Sequence, residues 1–373
     1  MSSTNSSYEY LKRFAESLPS LISLIVILCS VLLAIFCYVL MPDSSPNANT
    51  MNLSLSLQKP GFKVEVIKMP QQNNVDQNSW IEMLFTGRER AYKEIAVSKW
   101  EIKNDSLIYF LYTGIDGELG MENRIPLSEL HDGRGGEVED LDKYIETKTY
   151  WLGTDRYGRD MLSRMLAGTR VSLSVGFISV LISLLLGITL GALAGYFKGW
   201  VDDLIMFLIN IIWSIPTLLL VVAITFALGK GFVQVFIAVG LTMWVDAARI
   251  VRGQVLSARE YDYVEAGRAL GFSHSRIIFK HILPNIMGPV AVVAASNFAS
   301  AILLEAGLSF LGLGAQPPTP SWGMMVKDHY GYLVLDAAYL ALLPGFAIFI
   351  MVLCFTLVGN GIRDTLDTKE SYL

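Results

Sequence analysis

Gly153 and Gly158, followed at once by Arg159 and Asp160, lie close to the spacing of a phosphate-cradling loop, G-x-x-x-x-G-K-[ST]. That chemistry needs a lysine for the phosphates and a hydroxyl for magnesium. Here arginine replaces the lysine, and Asp160 sets a carboxylate that repels phosphate where the hydroxyl belongs. The loop is also expected to precede an external helix rather than to follow a buried strand. The segment therefore reads as structural, with Gly153 and Gly158 for a tight turn and Asp155, Arg159 and Asp160 for local ion pairing. The histidines, His131, His274, His281 and His329, form no H-E-x-x-H pattern, and no carboxylate or thiol set completes a metal site around His274 and His281. No Gly-x-Ser-x-Gly elbow is present. The sequence argues against catalysis and against a metal centre in this chain.

Two acids in apolar surroundings carry more weight. Glu305 follows twenty uncharged residues, and an ionisable group inside a span is a functional candidate by default. The structural alternative is a buried hydrogen bond or ion pair with a neighbouring helix. Asp246 stands three residues before Arg249, which predicts an intrahelical pair near the cytoplasmic end of its span.

Those spans follow from composition. Hydrophobic residues make up 53% and charged ones 17% of the 373, and the mean hydropathy is +0.45, away from an average soluble domain. Charge-free runs at 17–42, 171–197, 204–229 and 337–362 each exceed the roughly 20 residues that cross a hydrocarbon core. A fifth span, 231–256, must include Asp246, Arg249 and Arg252, whose basic side chains can snorkel. Residues 285–304 supply a sixth. Gly187, Gly191 and Gly195 make one flat helix face for close packing. Pro216, Pro289 and Pro344 each remove a backbone hydrogen bond and predict kinks, with Pro216 a gating candidate. Cys29, Cys37 and Cys354 all lie in spans, as small apolar residues rather than a disulfide framework.

The first apolar run is too long for a signal peptide and lacks a small-x-small site after Met41, so it reads as an uncleaved anchor. Lys12 and Arg13 put the N-terminus inside, and six crossings then place Lys198, the 259–280 loop, Arg363 and Lys369 inside as well. Arg156, Arg159, Arg164 and Arg170 fall on the external side, where charge in a long translocated loop is weak topological evidence. Between the first two spans, residues 43–149 are polar. Segments 62–68, 95–102 and 107–112 predict strands, with Lys103, Asn104 and Asp105 turning a hairpin, while 133–136 and 137–142 read as loop. This is a small β-containing module that either docks an external protein or serves as a solvated spacer. A net charge of −5 without a basic run gives no sign of nucleic-acid binding.

The polar stretch at 257–284 predicts a helical hairpin between spans. Ser257 and Glu260 have capping-box spacing, Gly271 suits a left-handed helix end, Ser273 can cap a second helix, and Pro284 is expected to stop it. Within it, Glu265, Ala266, Gly267, Gly271, Leu283 and Pro284 resemble the E-A-A…G…L-P signature of permease subunits in ABC-type importers, with Gly267 where alanine is commoner. The neighbouring R-A-L-G and H-I-L-P-N, the L-G-T-D-x-x-G-R-D element at 152–160, and 305–314 with P-P-T-P-S-W-G at 317–323 are similar to the peptide and nickel permease family. The resemblance covers 151–367.

It implies an all-α polytopic membrane protein of six transmembrane helices with a cytoplasmic coupling hairpin, plus the β-containing extracytoplasmic insertion. The divisions are 1–42, 43–149 and a permease core at 150–373. It further implies a permease subunit of an ATP-driven importer of oligopeptides or dipeptides in the bacterial inner membrane. Its partners would be a second permease, two ATPase subunits that bind ATP-Mg, and an external substrate-binding protein. The chain itself would hold no cofactor. Tyr261, Val264, Leu270 and Ile277 are the expected apolar contacts to the ATPase, and Glu265, Arg268 and Arg276 the polar ones. A membrane-anchored receptor acting through the insertion is the alternative.

Overall fold

The computed structural model describes residues 12–70, 79–90, 92–115, 117–127, 144–229 and 231–366. The expected loops at 133–136 and 137–142 lie outside them. The helices of eight residues or more are α1 (Leu18–Ile35), α2 (Met161–Phe197), α3 (Gly199–Trp213), α4 (Thr217–Leu228), α5 (Phe232–Ala258), α6 (Asp262–Ala269), α7 (His274–Phe310), α8 (Trp322–His329) and α9 (Tyr339–Leu366). Of these, α1, α2, α5, α7 and α9 are each long and apolar enough to span a bilayer. The pair α3 and α4 makes a sixth candidate, bent by 93° across residues 214–216. Pro216, which lacks an N–H, is the N-cap of α4, so the stretch anticipated as one span with a kink is two helices meeting at a corner.

The tightest packing joins α2 to α5. A Cβ at Gly187, Gly191 or Gly195 would stand 2.5 Å from Ala247 Cβ, 2.4 Å from Ala248 O and 2.7 Å from Arg252 O respectively, so the missing side chains let the two backbones touch.

Between α1 and α2 the chain builds a five-stranded antiparallel sheet from β1 (Phe62–Pro70), β2 (Tyr92–Lys103), β3 (Ser106–Tyr112), β4 (Leu119–Pro126) and β5 (Ile145–Tyr150), in the order β4-β3-β2-β1-β5. The β2–β3 turn falls where expected. Asn104 and Asp105 both take positive φ, at 49° and 57°, as a two-residue hairpin turn requires. β4 and β5 were not anticipated. Alternation sends Val64, Val66 and Ala96 to one face with Leu55 and Tyr150, and Ile67, Val97, Leu107 and Ile125 to the other.

The sheet and the hairpin sit at opposite ends of α2, whose 37 residues measure about 55 Å. Gly153 N–H bonds Tyr150 O at the sheet end, and Tyr196 meets His274 at the other.

Candidate functional site: the 257–284 hairpin

The hairpin starts later than its sequence suggests. Ser257 lies inside α5, whose C-cap is Arg259, because Val255 and Ala258 are buried and hold the last turn helical. Ser257 and Glu260 therefore form no capping box. Glu260 instead receives a hydrogen bond from Lys198 Nζ at 3.1 Å, which holds its carboxyl below the usual range. Arg259 Nη1 donates to Tyr196 O at 2.6 Å and ties the hairpin base to the end of α2.

Tyr261 begins α6 in an extended conformation without a side-chain cap. Asp262 and Glu265 sit in its first turn and Arg268 in its last, the arrangement the helix dipole favours. The end is a Schellman motif: Phe272 N–H bonds Gly267 O at 3.0 Å and Gly271 N–H bonds Arg268 O at 2.9 Å, with Gly271 at φ +75°. The Phe272 ring closes on α6 beside Gly267, where a Cβ would make ordinary contact with it at 3.4 Å. Ser273 Oγ then accepts Arg276 N–H at 3.4 Å and starts α7 as expected.

Pro284 does not stop that helix. Residues Ile277–Ile282 widen into a π-turn, with Leu283 N–H reaching Ile278 O, and Leu283–Ile286 tighten into a 3₁₀ turn before the α-helix resumes at Met287. The wide turn absorbs the ring and the missing N–H that would otherwise break a straight helix.

Burial divides the expected contact residues. Val264 and Ile277 are each 1% exposed and pack with Val255, Ala258, Ile278, Ile282, Leu283 and Tyr196, so they bind the hairpin to its own bundle. Tyr261 and Leu270 are exposed, Leu270 at 72%, as are Glu265, Ala266, Arg268, Gly271, Arg276 and Pro284. Arg268 stacks on Tyr196 at 5.5 Å and Arg276 on Phe272 at 4.0 Å, which fixes both guanidinium groups at the surface. The sequence reading missed Phe279, 68% exposed between the buried Ile278 and Ile282. Helical spacing was the available signal, since 278 and 282 share a face that 279 leaves. The assembly offers an apolar and basic tip on a rigid base, suited to gripping another protein.

The 151–160 loop follows β5, a mostly exposed edge strand rather than a buried one, and it has no cradle. A Cβ at Gly158 would stand 1.7 Å from Asn52 O, so that backbone fills the concavity. Asp155 accepts Tyr157 N–H at 2.8 Å and Arg159 Nε at 2.7 Å. Among the described residues Asp160 pairs with no arginine; it caps α2 through Ser163 N–H at 2.8 Å. Gly153, at φ +75°, backs onto Gln58 O. Glu305 is buried and accepts Ser309 Oγ at 2.7 Å and Ser172 Oγ at 3.3 Å, while Ser172 Oγ accepts Trp322 N–H. It latches α2, α7 and α8 together, which is the structural alternative. Asp246 and Arg249 form no direct pair; both meet Trp213 instead.

The family model for the binding-protein-dependent transport system inner membrane component matches residues 187–372. The glutathione transport system permease protein GsiD of Pectobacterium atrosepticum is 41% identical over 232 residues, covering 62% of this chain and 77% of that relative. The dipeptide transport system permease protein DppC of Alkalihalophilus pseudofirmus is 43% identical over 220 residues, covering 59% and 72%. A chain of the inward-facing MetNI methionine ABC transporter matches at TM-score 0.43 and 21% identity, over 55% of this chain and 97% of that one.

Proposed function

Because the chain belongs to the family of binding-protein-dependent transport system inner membrane components, we propose that partner ATPases drive it through the 257–284 hairpin and that its cargo is a small peptide. It is a multi-pass permease subunit of an ABC importer in the bacterial cytoplasmic membrane and not an enzyme; ATP is hydrolysed by ATPase partners, and a substrate-binding protein delivers cargo. The fuller assembly pairs it with a second permease and two ATPase subunits, which hold ATP-Mg, while this chain carries no cofactor. Oligopeptides or dipeptides are the cargo class that suits it, in keeping with relatives named for dipeptide and glutathione transport. Those relatives are transport permeases rather than receptors.

The observation that carries the coupling role is the split hairpin. Its inner side is welded to α2, α5 and α7 through Val264, Ile277 and Ile282, while Tyr261, Leu270, Glu265, Arg268 and Arg276 face outward. A push on the tip must therefore move the helices, because packed interiors transmit displacement. Purification of the tagged protein in mild detergent should recover a second permease and ATPase subunits. Glu265→Lys should leave the protein in the membrane at normal abundance while uptake falls and the ATPases are lost. Full transport by that variant would remove the hairpin from the mechanism.

A further inference from the structure

A cavity of about 320 Å³ lies beside the α3–α4 corner, lined by Trp213, Thr217, Thr242, Asp246, Ser300 and Leu303 among others. Asp246 stands near the midpoint of α5, and its Oδ1 accepts a hydrogen bond from Trp213 Nε1 at 3.2 Å. On the same indole the Arg249 guanidinium stacks at 3.6 Å from the ring centre. Among the described residues no cation lies within ion-pair distance of Asp246. Asp246 is exposed in this chain and receives only a neutral donor, and ionisable groups within a span line the route of polar or charged solutes. Broken spans commonly bring such groups to one point, because the interrupted backbone is tolerated where it lines a hydrated space.

We infer that Asp246 is a binding residue for the ammonium group of the transported solute, with the Trp213 indole holding its carboxylate in place. The inference rests on the peptide-import reading. A peptide's free amino end supplies the cation that Asp246 lacks, and Thr217 and Ser300 line the same space. Arg249, held on the ring at 3.6 Å, supplies positive charge next to the carboxylate, so the site suits a zwitterion better than a simple cation.

The test uses the complete importer in proteoliposomes, with alanyl-alanine and N-acetyl-alanyl-alanine as probes. Asp246→Asn should raise the half-saturating alanyl-alanine concentration about tenfold or more, the size of one lost charge-assisted hydrogen bond. Asp246→Glu should restore most of it, and ATP hydrolysis stimulated by the binding protein should persist. A second readout is independent of cargo. Ser300→Cys, made in a Cys29→Ser background, should react faster with a cationic than with an anionic thiosulfonate, and Asp246→Asn should erase that preference. Unchanged uptake in Asp246→Asn, or no charge preference at Ser300→Cys, would overturn the assignment. If the intact importer carries neither probe while the preference persists, the peptide reading falls and the ammonium site stands.

Discussion

Gly158 and Gly267 lack side chains for opposite reasons, and substitution should show it. At Gly158 a methyl would meet Asn52 O at 1.7 Å with φ at +69°, so Gly158→Ala should cost at least about 2 kcal/mol, read as a lower melting midpoint in nanodiscs. At Gly267 a methyl would make ordinary contact with Phe272 within a regular helix, so Gly267→Ala should stabilise by up to about 1 kcal/mol. Two carboxyls at the module's junction with the bundle have opposite signs. Burial pushes Asp43 up, but Arg90 at 3.3 Å and hydrogen bonds from Ser45 and Thr50 outweigh it and hold the carboxyl below its ordinary range. Asp43 therefore stabilises the fold above the unfolded carboxylate range, near pH 4, and that contribution is lost as pH falls through its folded value. Burial raises Asp160 despite Ser163, so its contribution is present at low pH and lost as pH rises through its folded value. Asp160→Asn keeps a good N-cap while deleting the opposing carboxyl. Melting midpoints between roughly pH 6 and pH 3.5 should then fall more steeply with acid than in the wild type. Individual residues were legible where chemistry is local. Gly271 and Ser273 were readable from sequence, whereas Ser257 was not, because the burial of Val255 and Ala258 decides where α5 ends.

Among the elements, the α2–α5 contact was visible in advance because three glycines four residues apart state a packing geometry directly. A bulkier residue there cannot be absorbed. Gly191→Leu should separate the two helices, since a Cβ alone comes within 2.4 Å of Ala248 O, and membrane abundance should collapse as it does for severe overpacking. The strands divide along similar lines. β1, β2 and β3 are rich in β-branched and aromatic residues, whereas β4 (L-G-M-E-N-R-I-P) and β5 (I-E-T-K-T-Y) are polar edges that pattern alone leaves in loop. Pro216 announced a bend but not its size, because the angle depends on how α3 and α4 pack against α5. Asp246 escaped its i to i+3 partner for a tertiary reason as well, with Trp213 arriving from another helix to separate the two charges.

Over the whole molecule, the sheet module is built into the bundle rather than hung from it. Asp43 N–H donates to Ser163 Oγ at 2.9 Å, Arg159 Nη1 to Asn49 Oδ1 at 2.9 Å, Arg170 Nη1 to Leu84 O at 2.9 Å, and Tyr339 OH to Gln58 O at 2.8 Å. A mere spacer could be shortened freely. Replacing 43–149 with a short flexible linker should instead lower the melting midpoint of the remaining bundle, because the buried Arg159 and Ser163 lose the hydrogen bonds they make to Asn49 and Asp43. Equal stability of the shortened and full-length chains would return the module to the status of tether. At the other end of α2, the wide turn at Ile277–Ile282 has a consequence for the length of the chain. An i to i+5 turn holds one residue more than the α-helix around it, so this is the point in α7 where a residue can be removed without rotating everything beyond it. Deleting Phe279 alone should be costly, by about 3 kcal/mol, because Pro284 would then meet an unrelieved helix. Deleting it together with Pro284→Ala should be tolerated, leaving the hairpin aimed as before. The chain carries a spare residue there, and the proline is what keeps it.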